Sequence, residues 1–412
     1  MTTDETIIDP TADERGLMHG TPPPPDRLVT LENWIAPPFN RWGLQHLQEL
    51  VPCAPIPAAG TTWQLPRVER DLGSLTIELG GHARSIDDVL DDLAIDGIVV
   101  LHRGEVVWER YANDMEPATR HLCFSVSKSV VATVAGVLVG RGVLDPHALV
   151  TDIIAELAGT SWEEATVQQV LDMRTGTAFS EVYAEVGGDV DIFGQVIGWF
   201  PRTEPTAPLD TYTYLAGMTA DRPHGGPFDY RTPLTSMLGW ICERASGERL
   251  PRLIGRELWT PMGAEFDASL AVDSIGSGFG GGGFNATLRD MARFGELWRR
   301  GGVLPDGTQV VPADWVRDTV TGAPDSAQAW LDGPQFEPDP LFPNAFYRNK
   351  WWIYDPSRPL YSAIGIHGQY VTIDGEAELV VARFSSLPVA DDEADDQAHM
   401  ALVGTFAEAL AG

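Results

Sequence analysis

The sequence predicts an α/β chain of the α+β kind: an antiparallel sheet built from both chain ends, flanked by helices, with an inserted helical lobe. Three observations predict it. Strand signals gather before residue 112 and after residue 350. Helix signals fill the middle. The strand–helix alternation that a parallel sheet requires is absent. A length of 412 residues suffices for two domains or one large two-lobed one. The expected division is a flexible tail over 1–30, a sheet domain from 31–150 plus 286–412, and a helical lobe over 151–285.

The tail is acidic and contains Pro22-Pro23-Pro24-Pro25, with neither the basic start nor the apolar core of a signal peptide. Residues 40–51 read as a short helix, and 87–93 as another capped by Ser85. Ile98-Val99-Val100-Leu101 and Val106-Val107-Trp108 flank a turn at Arg103-Gly104, a hairpin whose first strand is apolar enough to be central. Residues 126–139 are apolar on nearly every side, so this helix belongs inside the protein. In the lobe, Thr166 and Gln169 make a capping box, and residues 201–213 read as loop. Thr232-Pro233 starts a helix that Gly247 closes. The glycine run 276–283 spells Gly276-x-Gly278-x-x-Gly281. The dinucleotide reading of that pattern needs a strand before it and a crossover after it, and both are missing. A flexible or tightly turned loop feeding a helix capped by Thr287 and Asp290 fits better. Further on, 351–354, 370–373 and 379–384 read as strands, the last two joined at Asp374-Gly375. A final helix covers about 395–410.

The net charge of -31 and pI near 4.5 exclude nucleic acid and anionic membrane surfaces as partners. They fit cationic substrates or simply a well-solvated surface. Cys53, Cys123 and Cys242 are too few, and odd in number, for a disulfide framework. No apolar run reaches membrane-spanning length. The expectation is a cytoplasmic protein acting on a small molecule without metal or cofactor; a homodimer is compatible with it.

The chemistry centres on Ser125 and Lys128. Three residues apart on a helix, they share one face, and the helix start directs free N–H groups beside Ser125. Serine becomes a nucleophile when a base takes its proton, and lysine serves as that base once burial favours its neutral form. S-x-x-K alone is common. Here, however, only two of the 28 basic Lys and Arg residues are lysines, Lys128 and Lys350. Arginine cannot give up its proton, so a lysine kept at this place points to catalysis. A second proton-transfer group and an oxyanion hole complete such a site. Tyr230, just before a helix start, is a candidate for the first, and Gly365-Ile366-His367-Gly368-Gln369 for the second.

Several stretches, in this order, resemble the serine β-lactamase and penicillin-binding-protein superfamily. Within it they are similar to the 6-aminohexanoate-dimer (nylon-oligomer) hydrolases and related esterases. They are Asn40-Arg41-Trp42, His46-Leu47, Glu49-Leu50-Val51-Pro52, Ser125-Val126-Ser127-Lys128-Ser129, Leu171-Asp172-Met173, Glu181-Val182-Tyr183, Arg289-Asp290-Met291-Ala292-Arg293 and the Gly365–Gln369 stretch. The resemblance implies a β-lactamase-like sheet with Ser125 as nucleophile, Lys128 as base and Tyr230 as proton shuttle. It implies an oxyanion hole from the Ser125 and Ile366 N–H groups, with His367 in the third motif. Tyr183 and Trp199 would contact substrate. Thr232 replaces the usual Asn or Ser. Gly194 falls where efficient dimer hydrolases carry an acid facing the substrate ammonium, and Gly281 where a histidine can occur. The implied activity is acyl-enzyme hydrolysis of small linear amides or esters: good on short esters, weak on 6-aminohexanoate dimer, negligible on β-lactams. An aspartate at 194 would be expected to improve dimer cleavage. The competing readings are a non-catalytic binding protein on the same scaffold and a β-lactamase or peptidase activity.

Overall fold

The computed structural model describes residues 10–58, 60–334 and 342–411. Its centre is a seven-stranded antiparallel sheet. In chain order the strands are β1 (Ile95–His102), β2 (Glu105–Tyr111), β3 (Phe346–Arg348), β4 (Trp351–Asp355), β5 (Leu360–Gly365), β6 (Gln369–Asp374) and β7 (Leu379–Ser385). They lie side by side as β2-β1-β7-β6-β5-β4-β3, so the two chain ends meet where β1 pairs with β7.

The apolar run of β1 follows from that central place. Val99 and Leu101 join one hydrophobic core, and Ile98 and Val100 the other. Alternate residues of a strand face opposite sides, so a strand covered on both faces has no polar side. The terminal helix α4 (Glu393–Leu410) and a short helix over Ile86–Asp92 cover one face. The other carries α1 (Val126–Gly140) and α3 (Leu288–Arg299). Every residue of α1 from Val126 to Leu138 is buried. The helix α2 (Pro233–Ser246) packs against α1 from the lobe side.

Ser85 accepts from the Asp88 N–H, and Thr166 and Gln169 cap each other reciprocally. Arg103 and Gly104 both take left-handed conformations in the first hairpin turn, as a tight hairpin requires. In the β6–β7 hairpin Asp374 pairs with Leu379, and Glu378 rather than Gly375 takes positive φ. That loop is therefore longer than the two-residue turn suggested by Asp-Gly. Thr232 departs from its expected role. Its own backbone is helical and its side chain caps nothing. The helix read over 40–51 is two short pieces, Asn40–Gly43 and Leu47–Leu50.

A second sheet escaped the sequence reading. It joins Cys53–Ile56, Ala268–Ala271, Phe284–Thr287 and Arg120–Leu122, in that order. The tail reading also changes along its length. Residues 1–9 lie outside the described residues, and from Ala12 onward the segment is anchored at a few points with an exposed stretch between them. Ala12, Leu17 and Val29 are buried, and the Ala12 N–H donates to Asn113 Oδ1 at 2.9 Å.

Candidate active site

Ser125 stands at the N-cap of α1, directly after Phe124, whose φ of 43° is left-handed. A bulky residue there stores strain of about 1–3 kcal/mol, the kind that gathers where a side chain must be aimed. Lys128, one turn on, is buried. Its Nζ lies 2.7 Å from Ser125 Oγ and donates to the Gly281 carbonyl at 2.6 Å. Burial pushes the ammonium down to about 7, and the Glu181 carboxylate opposes part of that fall. Near neutrality a large share of Lys128 is therefore a free amine, whose lone pair can accept the Ser125 hydroxyl proton.

Tyr230 completes the triangle. Its hydroxyl hydrogen-bonds Ser125, and Lys128 Nζ sits 5.0 Å above its ring. Burial, reinforced by the Glu181 charge, pushes the phenol well above its usual range. A phenol kept in its neutral form carries a proton and does not serve as a phenolate base.

Glu181 ties these groups together. Its carboxylate accepts from the Thr232 N–H (2.7 Å), the Thr232 hydroxyl and the Tyr183 hydroxyl (3.0 Å). Thr232 thus spends its side chain on Glu181, which explains why it does not cap α2. The sequence named Glu181 only inside a motif and gave it no role. Nothing local marks a half-buried carboxylate that lies fifty residues from its threonine partner in the chain.

The end of β5 approaches Ser125 closely. A Cβ on Gly365 would stand 2.6 Å from the Cys123 carbonyl and 3.0 Å from the Ser125 nitrogen. Only glycine lets the strand end approach Ser125 so closely. Among the described residues neither the Ser125 nor the Ile366 N–H donates to protein, leaving two donors at the junction of β5 with the helix start. His367, left-handed at φ 59°, follows Ile366. Its Nδ1–H donates to the Leu387 carbonyl at 2.7 Å, and burial lowers its pKa, so the ring is neutral.

Aromatic rings cluster around Phe124, beside Ser125. Phe124 lies 6.0 Å from Trp199 and 5.3 Å from His367, and Trp199 meets Phe279 edge-on at 4.8 Å. Among the described residues the buried Trp199 Nε1–H has no partner. Gly194 is placed differently from its expected role. A Cβ there would stand 2.3 Å from Phe200 Cδ2, so the position has no room for a side chain unless that ring moves. Gly281 is closed as well, its Cβ direction blocked by Thr232 and Phe279 at 2.8 Å each. Its backbone instead serves Lys128, and this is the contribution of the glycine run. Among the described residues no group of three or more His, Cys, Asp or Glu side chains is arranged to hold a metal, and no helix is long and apolar enough to cross a membrane.

The beta-lactamase family model matches residues 83–405. The 6-aminohexanoate-dimer hydrolase of Paenarthrobacter ureafaciens is 35% identical over 362 residues, covering 88% of this chain and 89% of the relative. A solved Bacillus anthracis structure, described as a 6-aminohexanoate-dimer hydrolase, superposes with a TM-score of 0.82 at 25% identity, over 95% of this chain and 98% of that one. A family VIII carboxylesterase shares the fold at a TM-score of 0.55 and 17% identity, over 75% of this chain and 92% of that one. The chain belongs to the beta-lactamase family and is a serine hydrolase.

Proposed function

We propose that this hydrolase cleaves small linear esters and amides through an acyl-enzyme on Ser125. The observation that carries the reading is the Lys128 amine, brought to about pKa 7 by burial and held 2.7 Å from Ser125 Oγ. Neutral Lys128 takes the Ser125 proton as Oγ attacks the carbonyl carbon. The Ser125 and Ile366 N–H groups receive the oxyanion. Tyr230 hands a proton to the departing amine or alkoxide, and water then releases the acid by the reverse relay. Tyr183 and Trp199 contact the substrate, and the unpaired Trp199 N–H is free to donate to it.

The relatives named for 6-aminohexanoate dimer and the esterase of the same fold support linear substrates. Gly194, with no charge and no space, supports weak action on the dimer compared with short esters. Three free cysteines fit a reducing, cytoplasmic setting. A homodimer is compatible with the chain, and light scattering reads its assembly.

The test is hydrolysis of short nitrophenyl esters, 6-aminohexanoate dimer and nitrocefin, together with labelling by a fluorophosphonate, in wild type and Ser125→Ala. Ester turnover and labelling that both vanish in the variant are expected. An unlabelled, inactive wild type would mean a binding protein on this scaffold, and strong nitrocefin turnover would mean a β-lactamase.

A further inference from the structure

We propose that the N-terminal segment around Trp34 to Leu44, which lies before the residues matched by the family model, is part of the active site. It acts as a clamp that positions both of the site's walls. The inference rests on the acyl-enzyme reading of Ser125.

Three contacts carry it. Trp34 is fully buried. Its Nε1–H donates to the Trp199 carbonyl at 3.0 Å, and its ring lies 5.3 Å from Trp199 and stacks on Phe124 at 6.5 Å. One indole thus holds both the aromatic wall of the pocket and the strained residue before the nucleophile. The Leu44 carbonyl accepts from the Leu122 N–H at 2.8 Å, fixing the strand that leads into Phe124 and Ser125. On the opposite side Asn40 is buried, and its Nδ2 donates to the Ser386 and Leu387 carbonyls at 2.8 and 3.0 Å. The Leu387 carbonyl also accepts from His367 Nδ1, which fixes the residue after Ile366 and hence the second oxyanion donor.

The segment is itself rigid. A Cβ on Gly43 would stand 2.3 Å from the Trp34 carbonyl, so its two ends are packed against each other. Trp34 and Asn40 are therefore positioning residues. Trp34 sets the shape of the acyl pocket, and Asn40 sets the height of the oxyanion loop.

The two arms predict different kinetic signatures. Trp34→Phe keeps a ring but frees the Trp199 carbonyl. It should raise KM for hexanoyl and longer nitrophenyl esters relative to acetyl, changing the long-to-short ratio of kcat/KM by about tenfold. Asn40→Ala should lower kcat by about 10²-fold for every acyl length, the usual cost of misplacing a catalytic group by about 1 Å. Its pH midpoint should stay with Lys128. Asn40→Leu, close in shape, reads the same rate should the alanine variant not fold. The proposal is overturned if the folded variants melt lower yet keep wild-type kcat and the wild-type chain-length profile, for the segment is then only a brace. It is equally overturned if both variants lose activity uniformly with no separate signatures. Failure of the acyl-enzyme reading would look different, because the wild type itself would be inert toward the esters and the fluorophosphonate.

Discussion

Lys128 sets a conflict between stability and chemistry at a single residue. Its folded pKa is lowered from 10.5 to about 7 by burial. The unfolded chain holds the proton through that interval and the folded chain does not, so stability rises with pH from about 7 to 10.5. The destabilisation is fully present below about pH 7 and has faded by 10.5. Lys128→Met should therefore raise Tm by several degrees at pH 7, with the gain vanishing as pH approaches 10.5, while activity is lost. Calorimetry across that range checks it. Acylation by the wild type should rise about tenfold per pH unit below 7 and level off above it, following the neutral amine. Lys128→Arg should be inactive at every pH, since guanidinium does not accept a proton, and near-normal turnover would remove lysine from the mechanism. Tyr230→Phe deletes one hydroxyl. Its loss should be about 10²-fold or more on anilides and small on nitrophenyl esters, because nitrophenolate leaves without a proton. Equal losses would assign the tyrosine to packing.

At the scale of elements, the site is where β5 meets the start of α1, and Gly365 sets the gap. Gly365→Ala puts a methyl 2.6 Å from the Cys123 carbonyl, so the strand end must withdraw from Ser125 and take the Ile366 N–H with it. Losing one oxyanion donor costs about 10²–10³ in kcat; a fall in kcat with KM held is expected, and an unchanged kcat would place the oxyanion hole elsewhere. Gly194→Asp tests the opposite wall. Since Phe200 occupies the space, the single variant should melt lower and leave the dimer-to-ester ratio unmoved; a raised ratio would show that the ring gives way. Sequence legibility follows the same elements. The nucleophile helix, the first hairpin, β6, β7 and the final helix announce themselves through continuous apolar runs or period-two patterns bounded by turns. The second sheet does not, because its strands of three or four residues carry no measurable period. β3 was missed for the same reason of length. β5 was missed because Leu360-Tyr361-Ser362-Ala363, mixed in polarity, reads as neither face. Ser125 and Lys128 were visible through spacing and lysine scarcity. Glu181 was not visible, since Thr232 and Lys128 reach it from distant segments.

Across the whole molecule, arginine and lysine divide the work. Arginine makes the buried ion pairs: Arg41 with Asp96 (3.1 Å), Arg293 with Asp290 (2.8 Å), Arg348 with Asp172 (2.6 Å) and Arg231 with Asp229 (2.5 Å). Its fixed fork and permanent charge suit such sites. Both lysines are buried and shifted toward the neutral form, Lys350 donating to the Val170 carbonyl at 2.6 Å. With so many arginines committed to internal pairs, the excess of 59 acidic over 28 basic residues falls largely on the surface. A field of that sign raises the local concentration of cations at a cleft and repels anions. A quaternary-ammonium ester should therefore react with a higher kcat/KM than its neutral tert-butyl isostere at low salt, although the pocket itself offers the ammonium no carboxylate at position 194. Because the effect is long-ranged, it should be screened. Raising ionic strength from about 0.01 M to about 1 M shortens the Debye length from about 30 Å to about 3 Å, and the ratio should fall toward one. A ratio that stays high in 1 M salt would mean a short-range anionic contact inside the site. A ratio of one throughout would mean that the acidity serves solvation alone.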